Sequence, residues 1–266
     1  MDKITTVTLK EMKQNGEKIA MLTAYDYPIS FMMEKAGIDA VLIGDSLGMV
    51  VLGYETTLPV TVDDIIYHTR AVGRGNKKSL IIADMPFLSY KISNEEAVRN
   101  AGRMVQEGGA NAVKVEGGAE ISNIISSIIK ADIPVMGHLG VTPQAIHKFG
   151  SYKTRGRDKK EADKIISDAK LLERLGVFAI VLEKIPLELA KKITKSLSIP
   201  TIGIGAGPHC DGQVLVTYDM LGLFPTFLPK FVKKYTDLDK EITKAFLAFK
   251  DEVKKGRFPD KDKHSC

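Results

Sequence analysis

Residues 80–116 read LIIADMPFLSYKISNEEAVRNAGRMVQEGGANAVKVE and contain the pattern on which the fold prediction rests. The runs at 80–83 and 112–115 are apolar nearly throughout, as expected of strands that are covered on both faces in a parallel sheet. Between them, the segment SNEE at 93–96 has the form of a helix capping box. The helix that it opens should end at the glycine pair 108–109. This stretch therefore predicts a strand–helix–strand unit.

The same order recurs along the chain. Strand-like runs lie at 19–23, 40–43, 80–83, 112–115, 134–137, 178–182, 201–204 and 213–217. A second capping-box segment, TVDD at 61–64, opens a helix that should end near Gly73, and a further helix is expected at 163–175. Strand–helix alternation with short connections predicts a parallel α/β fold, and eight strands in 266 residues favour a closed (β/α)8 TIM barrel over an open sheet. Only residues 205–212 separate the last two strands, so we expect a short turn there.

No low-complexity segment or linker interrupts the chain, and we expect residues 1–266 to form a single barrel domain with a C-terminal helical tail. The tail, residues 227–266, is interpreted as terminal helices with a polar, frayed end at 257–266.

The composition excludes several classes of protein. The 38 basic and 33 acidic residues give a net charge of +5, without the concentrated basic face of a nucleic-acid-binding protein, so no nucleic-acid partner is expected. The two cysteines, Cys210 and Cys266, offer no disulfide framework, which indicates a reducing compartment. No stretch has the ~18 apolar residues of a membrane span, and residues 1–16 lack a signal-peptide pattern. A cytoplasmic protein with no membrane partner is predicted.

Acidic residues stand at the ends of four predicted strands: Asp45, Asp84, Glu116 and Glu183. A single strand-end acid is more often a helix cap or loop residue. Four of them on separate strands of a closed barrel would converge at the C-terminal rim, where barrel active sites are assembled. Converging carboxylates repel one another unless a positive charge lies between them, and Mg²⁺ prefers such oxygen ligands. The pattern therefore predicts a metal-dependent active site.

Lys114 and Glu116 lie two residues apart on one strand and should point to the same face, toward the barrel mouth. There, Lys114 can pair with a substrate carboxylate. A structural ion pair with a neighbouring acid is the alternative, and the spacing leaves both open. His138, just after the fifth predicted strand, is equally open between a ligand or acid–base group and a hydrogen-bonded polar residue of the mouth.

Six segments, in order along the chain, resemble the ketopantoate hydroxymethyltransferase family. They are MLTAYD at 21–26, GDSLGMV at 44–50, DMPF at 84–87, VKVEG at 113–117, GHLGVTPQ at 137–144 and GIGAGPHCDGQ at 203–213. The resemblance extends from about residue 5 to residue 231, which is most of the chain.

This resemblance implies a (β/α)8 barrel, usually assembled as a homodecamer, with one Mg²⁺ per subunit. The implied reaction converts 3-methyl-2-oxobutanoate, 5,10-methylenetetrahydrofolate and water into 2-dehydropantoate and tetrahydrofolate. It is the first committed step of pantothenate, and hence coenzyme A, biosynthesis.

Carried over position by position, the family's functional residues fall mainly on the strand-end acids. Its metal ligands match Asp45, Asp84 and Glu116, and its keto-acid contacts match Asp45, Ser46, Asp84 and Lys114. Its catalytic base matches Glu183. The residues that contact the folate stay open, with 203–207 and 149–157 as candidates.

Two rival interpretations remain at this point. The first is another enzyme on a similar barrel, a lyase or mutase that acts on a keto acid or a phosphonate and needs no folate. The second is a catalytically silent barrel that serves as a binding or scaffold protein, although such a protein has no evident use for acids at four strand ends.

Overall fold

The computed structural model describes residues 3–223 and 229–264, and the chain divides into two compact units, Met1–Leu215 and Val216–Cys266. The first unit is a closed barrel of eight parallel strands in sequential order, in which the last strand pairs with the first. The predicted (β/α)8 fold is confirmed. The barrel is complete within the first unit, and a single domain over residues 1–266 stays a prediction.

The eight strands are all at the predicted places, with ends that shift by at most three residues. They are β1 Ile19–Thr23, β2 Ala40–Ile43, β3 Leu80–Asp84, β4 Ala112–Glu116, β5 Val135–Gly140, β6 Ala179–Glu183, β7 Thr201–Ile204 and β8 Gly212–Leu215. The helices of the first unit are α1 Thr6–Asn15, α2 Tyr27–Ala36, α3 Leu47–Val50, α4 Val62–Gly75, α5 Asn94–Gln106, α6 Ser122–Lys130, α7 Ile146–Phe149, α8 Lys159–Leu175 and α9 Leu187–Ser196. Short 3-10 turns cover Ala119–Ile121 and Pro143–Ala145.

The barrel interior is filled by inward-facing residues of successive strands, among them Ala40 and Leu42 of β2 and Leu80 and Ile82 of β3. Leu9 of α1 is fully buried in the same cluster, so the helix that precedes β1 packs against the barrel core. Below the rim, these apolar side chains fill the inward-facing positions of the strands. The inward-facing positions at the C-terminal strand ends can therefore hold polar side chains.

The helix N-termini follow the capping chemistry of the sequence. Thr61 forms the complete capping box with Asp64, while Ser93 Oγ accepts a hydrogen bond from the backbone N–H of Glu96 at 3.1 Å, one half of the predicted box. The predicted start of α8 at residue 163 is wrong. The helix begins four residues earlier, because the Asp158 carboxylate accepts a hydrogen bond from the N–H of Glu161 and caps it there.

The connection between β7 and β8 contains no helix, as its length predicted. It is fixed by Asp211, whose Oδ2 accepts hydrogen bonds from Thr201 N at 2.8 Å and from Lys13 Nζ at 2.9 Å. Lys13 lies on α1, so this one carboxylate ties the connection both to β7 and to the helix that precedes the barrel.

The second unit contains α10 Thr217–Met220 and α11 Leu238–Lys254, and residues 255–264 hold no further helix. Within residues 229–264, the predicted helical tail is therefore one long helix, α11. Residues 227–228 and 265–266, where the tail prediction begins and ends, lie outside the described residues. None of the helices in the described part of the chain is long and apolar enough to cross a bilayer.

One glycine allows two strands to meet at the rim. Gly140, at the end of β5, has φ +98°, and a Cβ there would lie 2.2 Å from the backbone oxygen of Glu183 on β6. We expect Gly140→Ala to lower the free energy of unfolding by about 2–4 kcal/mol, because both the backbone conformation and the space exclude a side chain. Urea denaturation measures this.

Gly102→Ala is the matched control, since a Cβ on that glycine of α5 would meet nothing within 4 Å. Alanine favours a helix over glycine, so this variant should gain up to about 1 kcal/mol. Equal losses in the two variants would contradict the steric argument.

Candidate active site

The predicted residues lie at the C-terminal ends of five adjacent strands, β2 to β6. The registers pair Asp84 of β3 with Lys114 of β4, and Glu116 of β4 with His138 of β5. Glu183, the last residue of β6, pairs with Gly140 of β5. Because the strands are parallel neighbours, these side chains lie at one edge of the barrel, as the sequence predicted.

Lys114 is buried at the centre of this group. Its Nζ lies 2.7 Å from Asp84 Oδ1 and 4.0 Å from Glu116 Oε1. Burial opposes the charge on the lysine, but Asp84 and Glu116 outweigh it and raise the pKa of Lys114. The ion pair that the spacing left open is therefore present, and the ammonium group stays charged.

His138 joins Glu116 to Glu183. Its Nδ1 lies 3.4 Å from Glu116 Oε1, and its Nε2 lies 3.3 Å from Glu183 Oε2. Burial and the charge of Lys114 oppose protonation, but the contacts with the two glutamates outweigh them and raise the pKa of His138 to about 9. In the protonated form, Nδ1 and Lys114 Nζ, 3.3 Å apart, are both donors, so this approach is not a hydrogen bond.

Asp45 and Ser46 follow β2 and face the same group. The backbone N–H of Asp45 donates to Asp84 Oδ2 at 3.3 Å, and Ser46 Oγ lies 2.9 Å from the hydroxyl of Tyr25. A Cβ on Gly44 would lie 2.8 Å from Ser46 Oγ, so a larger residue there would require the side chain of Ser46 to move.

Three functional candidates were missed by the sequence reasoning: Tyr25, Tyr90 and Gln144, all buried. Gln144 Nε2 donates to Asp45 Oδ2 at 3.0 Å, and its backbone N–H donates to Glu116 Oε2 at 3.1 Å. The hydroxyl of Tyr90 accepts a hydrogen bond from the N–H of Glu116 at 3.0 Å. These residues carry no charge and do not end strands, so the pattern of strand-end acids does not include them. The segments 21–26 and 137–144, which include Tyr25 and Gln144, were the available signal.

The three predicted ligand carboxylates share a crowded environment. Burial raises the pKa of Asp45 well above its usual range, and repulsion from Asp84 and Glu116 adds to the effect. Burial also raises the pKa of Asp84, against the opposing charge of Lys114. For Glu116, by contrast, contacts with His138 and Lys114 outweigh burial and lower the pKa. Lys114 and His138 therefore do not fully offset the charges of the three acids.

The donor chemistry of this group suits a hard divalent cation, because Asp45, Asp84 and Glu116 offer only carboxylate oxygens. Asp84 Oδ1 is buried without a hydrogen-bond partner of good geometry, although Lys114 Nζ approaches it to 2.7 Å. Within residues 3–223 and 229–264, no three His, Cys, Asp or Glu side chains already stand in a metal-holding group. Mg²⁺ commonly takes one or two protein carboxylates and completes its shell with water and substrate, so the residues fit such an ion without a preformed cage.

Glu183 differs from the other acids. Its side chain is 15% exposed, against 1% for Glu116 and 2% for Asp84, so it faces the opening of the group. The arrangement can bind a small anion at Lys114, stabilise negative charge on it, and remove a proton with a carboxylate that borders the buried cluster.

A family model described as ketopantoate hydroxymethyltransferase matches residues 3–261 of this chain. Curated relatives named 3-methyl-2-oxobutanoate hydroxymethyltransferase include one from Thermoanaerobacter sp., 55% identical over 98% of this chain and 95% of its own length. Another, from Caldicellulosiruptor saccharolyticus, is 56% identical over 98% of this chain and 99% of its own length.

Solved structures of other enzymes share the fold at much lower identity. A 2,3-dimethylmalate lyase of the PEP mutase/isocitrate lyase superfamily has a TM-score of 0.62 at 14% identity, covering 97% of this chain and 90% of its own. A phosphonopyruvate hydrolase in complex with oxalate and Mg²⁺ has a TM-score of 0.64 at 12% identity, covering 100% of this chain and 92% of its own. At these identities, the likeness concerns the fold alone.

Proposed function

Because the chain belongs to the ketopantoate hydroxymethyltransferase family, whose curated members act on 3-methyl-2-oxobutanoate, we propose a complete reaction for it. In this proposal, 5,10-methylenetetrahydrofolate donates the one-carbon unit, and Glu183 removes the proton from C3 of the keto acid. The observation that carries the proposal is the continuous series of charge contacts Asp84–Lys114–Glu116–His138–Glu183 at the barrel rim, of which all members but Glu183 are buried.

Lys114 binds the carboxylate of the keto acid in this proposal. Its ammonium group is buried and stays charged, and a charged donor in a dry site binds an anion more strongly than one in water. Ser46, held by the hydroxyl of Tyr25, orients the substrate from β2, and Asp45 and Asp84 border it. The ion pair with Asp84 keeps Lys114 in place before the substrate arrives.

Asp45, Asp84 and Glu116 would hold one Mg²⁺, which when bound supplies positive charge next to the keto oxygen as a Lewis acid. The crowding of these carboxyl groups and the burial that raises the pKa of Asp45 support a cation at this place. A protein of the same fold was solved with oxalate and Mg²⁺, and oxalate carries adjacent carboxylates much as an α-keto acid carries a carboxylate beside a carbonyl.

Glu183 is the general base because it stands apart from the proposed metal ligands and is the most exposed acid of the series. A carboxylate bound to a metal is a weaker base, so the division of roles between Glu116 and Glu183 is chemically sound. His138, protonated and 3.3 Å from Glu183, holds this carboxylate at the edge of the site.

Glu183 takes the C3 proton, and the electron pair of that C–H bond forms the enolate. The methylene carbon of the folate is bonded to two nitrogens. One of these C–N bonds breaks to leave an iminium ion on the second nitrogen, and the enolate carbon then bonds to the methylene carbon. Water supplies the hydroxyl group of the product as the second C–N bond breaks. The proton from C3 and one proton from water end on the two nitrogens of tetrahydrofolate.

The test of this function is an assay of the purified protein for consumption of 3-methyl-2-oxobutanoate that depends on 5,10-methylenetetrahydrofolate. We expect 2-dehydropantoate to form only when both substrates are present, and chelation with excess EDTA to remove the activity until Mg²⁺ is restored. Product formation without folate would support the rival lyase or mutase, and full activity after chelation would remove the metal from the proposal.

The scaffold interpretation is set aside, since the relatives at 55–56% identity are named as enzymes. The homodecamer and the cytoplasmic location stay predictions.

A further inference from the structure

Gln144 follows Pro143 in the turn after β5. It has no role in the proposed reaction, yet it donates hydrogen bonds to two acids of the site. Its Nε2 donates two hydrogen bonds, to Asp45 Oδ2 at 3.0 Å and to the backbone oxygen of Met85 at 2.9 Å. Its backbone N–H donates to Glu116 Oε2 at 3.1 Å. One uncharged residue thus contacts an acid of β2 and an acid of β4.

The neighbours fix which way the amide of Gln144 points. Asp45 Oδ2 and Met85 O are both acceptors, so the amide atom between them must be the nitrogen. The other amide atom is then the oxygen, which needs a donor. The hydroxyl of Tyr90, 2.9 Å away, supplies it.

Tyr90 is tied to Glu116 as well. Its hydroxyl oxygen accepts a hydrogen bond from the N–H of Glu116 at 3.0 Å. Its one hydrogen faces two acceptors, Gln144 Oε1 at 2.9 Å and the backbone oxygen of Glu116 at 3.1 Å, and the contact with Gln144 is the shorter. Its ring is fully buried, so the hydroxyl has little freedom to move. Tyr90 therefore links the backbone of β4 to the amide of Gln144 by hydrogen bonds. Gln144 in turn links the carboxylates of Asp45 and Glu116.

We propose that Gln144 is a positioning residue that sets the separation of the Asp45 and Glu116 carboxylates, and that Tyr90 sets the orientation of Gln144. This inference rests on the proposed function, in which those two acids hold the divalent ion. When both acids are charged, as metal ligands are, they repel each other, and the hydrogen bonds from Gln144 to each of them oppose their separation. A neutral donor holds the acids without occupying the place of a cation, which a lysine or arginine at the same position would do.

The experiment compares the binding of Mn²⁺ to the metal-free full-length protein, followed by electron paramagnetic resonance, in wild type and Gln144→Met. Methionine has a similar length and no hydrogen-bonding amide. Loss of a partner that orients a ligand typically costs about 10–100-fold in metal affinity, and we expect the Mn²⁺ Kd to rise by that factor. Tyr90→Phe should give a smaller rise, and the double variant should show less than the product of the two effects, because Tyr90 acts partly through Gln144.

Asn76→Leu is the matched control. Asn76 is also a buried amide, but it bonds to Ser79 before β3, where Nδ2 donates to Ser79 Oγ at 2.9 Å, and it touches none of the carboxylates. Both variants lose buried amide hydrogen bonds and should lose stability to urea. Only Gln144→Met should weaken Mn²⁺ binding. An unchanged Mn²⁺ Kd in Gln144→Met, with stability lost, overturns the inference and makes Gln144 purely structural.

A second readout separates this inference from the metal assignment. Proton exchange at C3 of 3-methyl-2-oxobutanoate in D₂O, followed by NMR without folate, should slow by about 10-fold or more in Gln144→Met. If the wild-type protein binds no Mn²⁺ and still catalyses C3 proton exchange after chelation, the proposed metal site is wrong. The exchange rate of Gln144→Met relative to wild type is then the test of the positioning role. A rate equal to that of wild type rejects the positioning role, and a slower rate supports it.

Discussion

Glu183→Gln is expected to lower turnover by about 10²–10⁴-fold, the usual contribution of a positioned general base. The amide has the shape of the acid, and its oxygen can still lie beside His138 Nε2, which is 3.3 Å from the carboxylate in the wild type. It has no basicity with which to take the C3 proton. Binding of the keto acid and of Mg²⁺ should stay close to wild type, since Lys114 and the proposed metal ligands are untouched.

Deuterium exchange at C3 without folate isolates this step from the later ones. The loss in exchange should match the loss in turnover if proton removal limits both. Glu188→Gln is the control, because Glu188 lies five residues further on, on α9, with a side chain that is 74% exposed. It should exchange as wild type does. Exchange at the wild-type rate in Glu183→Gln would assign the base to another residue.

The fold could be predicted from the sequence because each strand is covered on both faces and is therefore nearly all apolar. The run at 40–43 shows this most simply, since all four residues of β2 are buried. The end of β5 was harder to place. Its last residues include His138 and Gly140, and neither is typical of a strand. The strand continues to Gly140 because its backbone pairs with Glu183 on β6, a contact that lies more than 40 residues away in sequence.

The charged part of the site was predictable for a similar reason. In a barrel, every strand end points to the same rim, so position in the strand is enough to bring Asp84, Lys114 and Glu116 together. The uncharged residues of the site could not be predicted in this way. Gln144 and Tyr90 lie on connections whose path depends on tertiary packing, and their 2.9 Å hydrogen bond joins residues 54 apart.

The protonation of the site also lies beyond the sequence. Whether His138 is charged depends on the balance between burial and two glutamates at 3.3–3.4 Å, which no spacing rule gives. For the same reason, the sequence left both an ion pair and a substrate contact open for Lys114, and only the 2.7 Å distance to Asp84 shows that the ion pair is present.

Lys114→Met is expected to lower kcat/KM by about 10²–10³-fold, because removing one partner of a buried charge pair costs about 2–5 kcal/mol. In the proposed reaction, most of this loss should appear as a weaker Kd for 3-methyl-2-oxobutanoate, measured by titration calorimetry in the presence of Mg²⁺. The free energy of unfolding should also fall by about 3–5 kcal/mol, since Asp84 stays buried without its nearest cation and Glu116 keeps only His138.

Lys159→Met provides the comparison, because Lys159 also pairs with an acid, Asp163, but both of these side chains are exposed, at 89% and 54%. An exposed pair of this kind contributes about 0–1 kcal/mol and weakens with salt, so this variant should bind the keto acid as wild type does.

The two possible roles of Lys114 give different results. If Lys114 only balances Asp84, Lys114→Met loses stability while its Kd for the keto acid stays at the wild-type value, and the proposed anion site must then lie elsewhere on the rim. If Lys114 binds the substrate carboxylate, a shorter analogue that keeps the carboxylate, such as pyruvate, should lose affinity by the same factor, because the lost contact is common to both molecules.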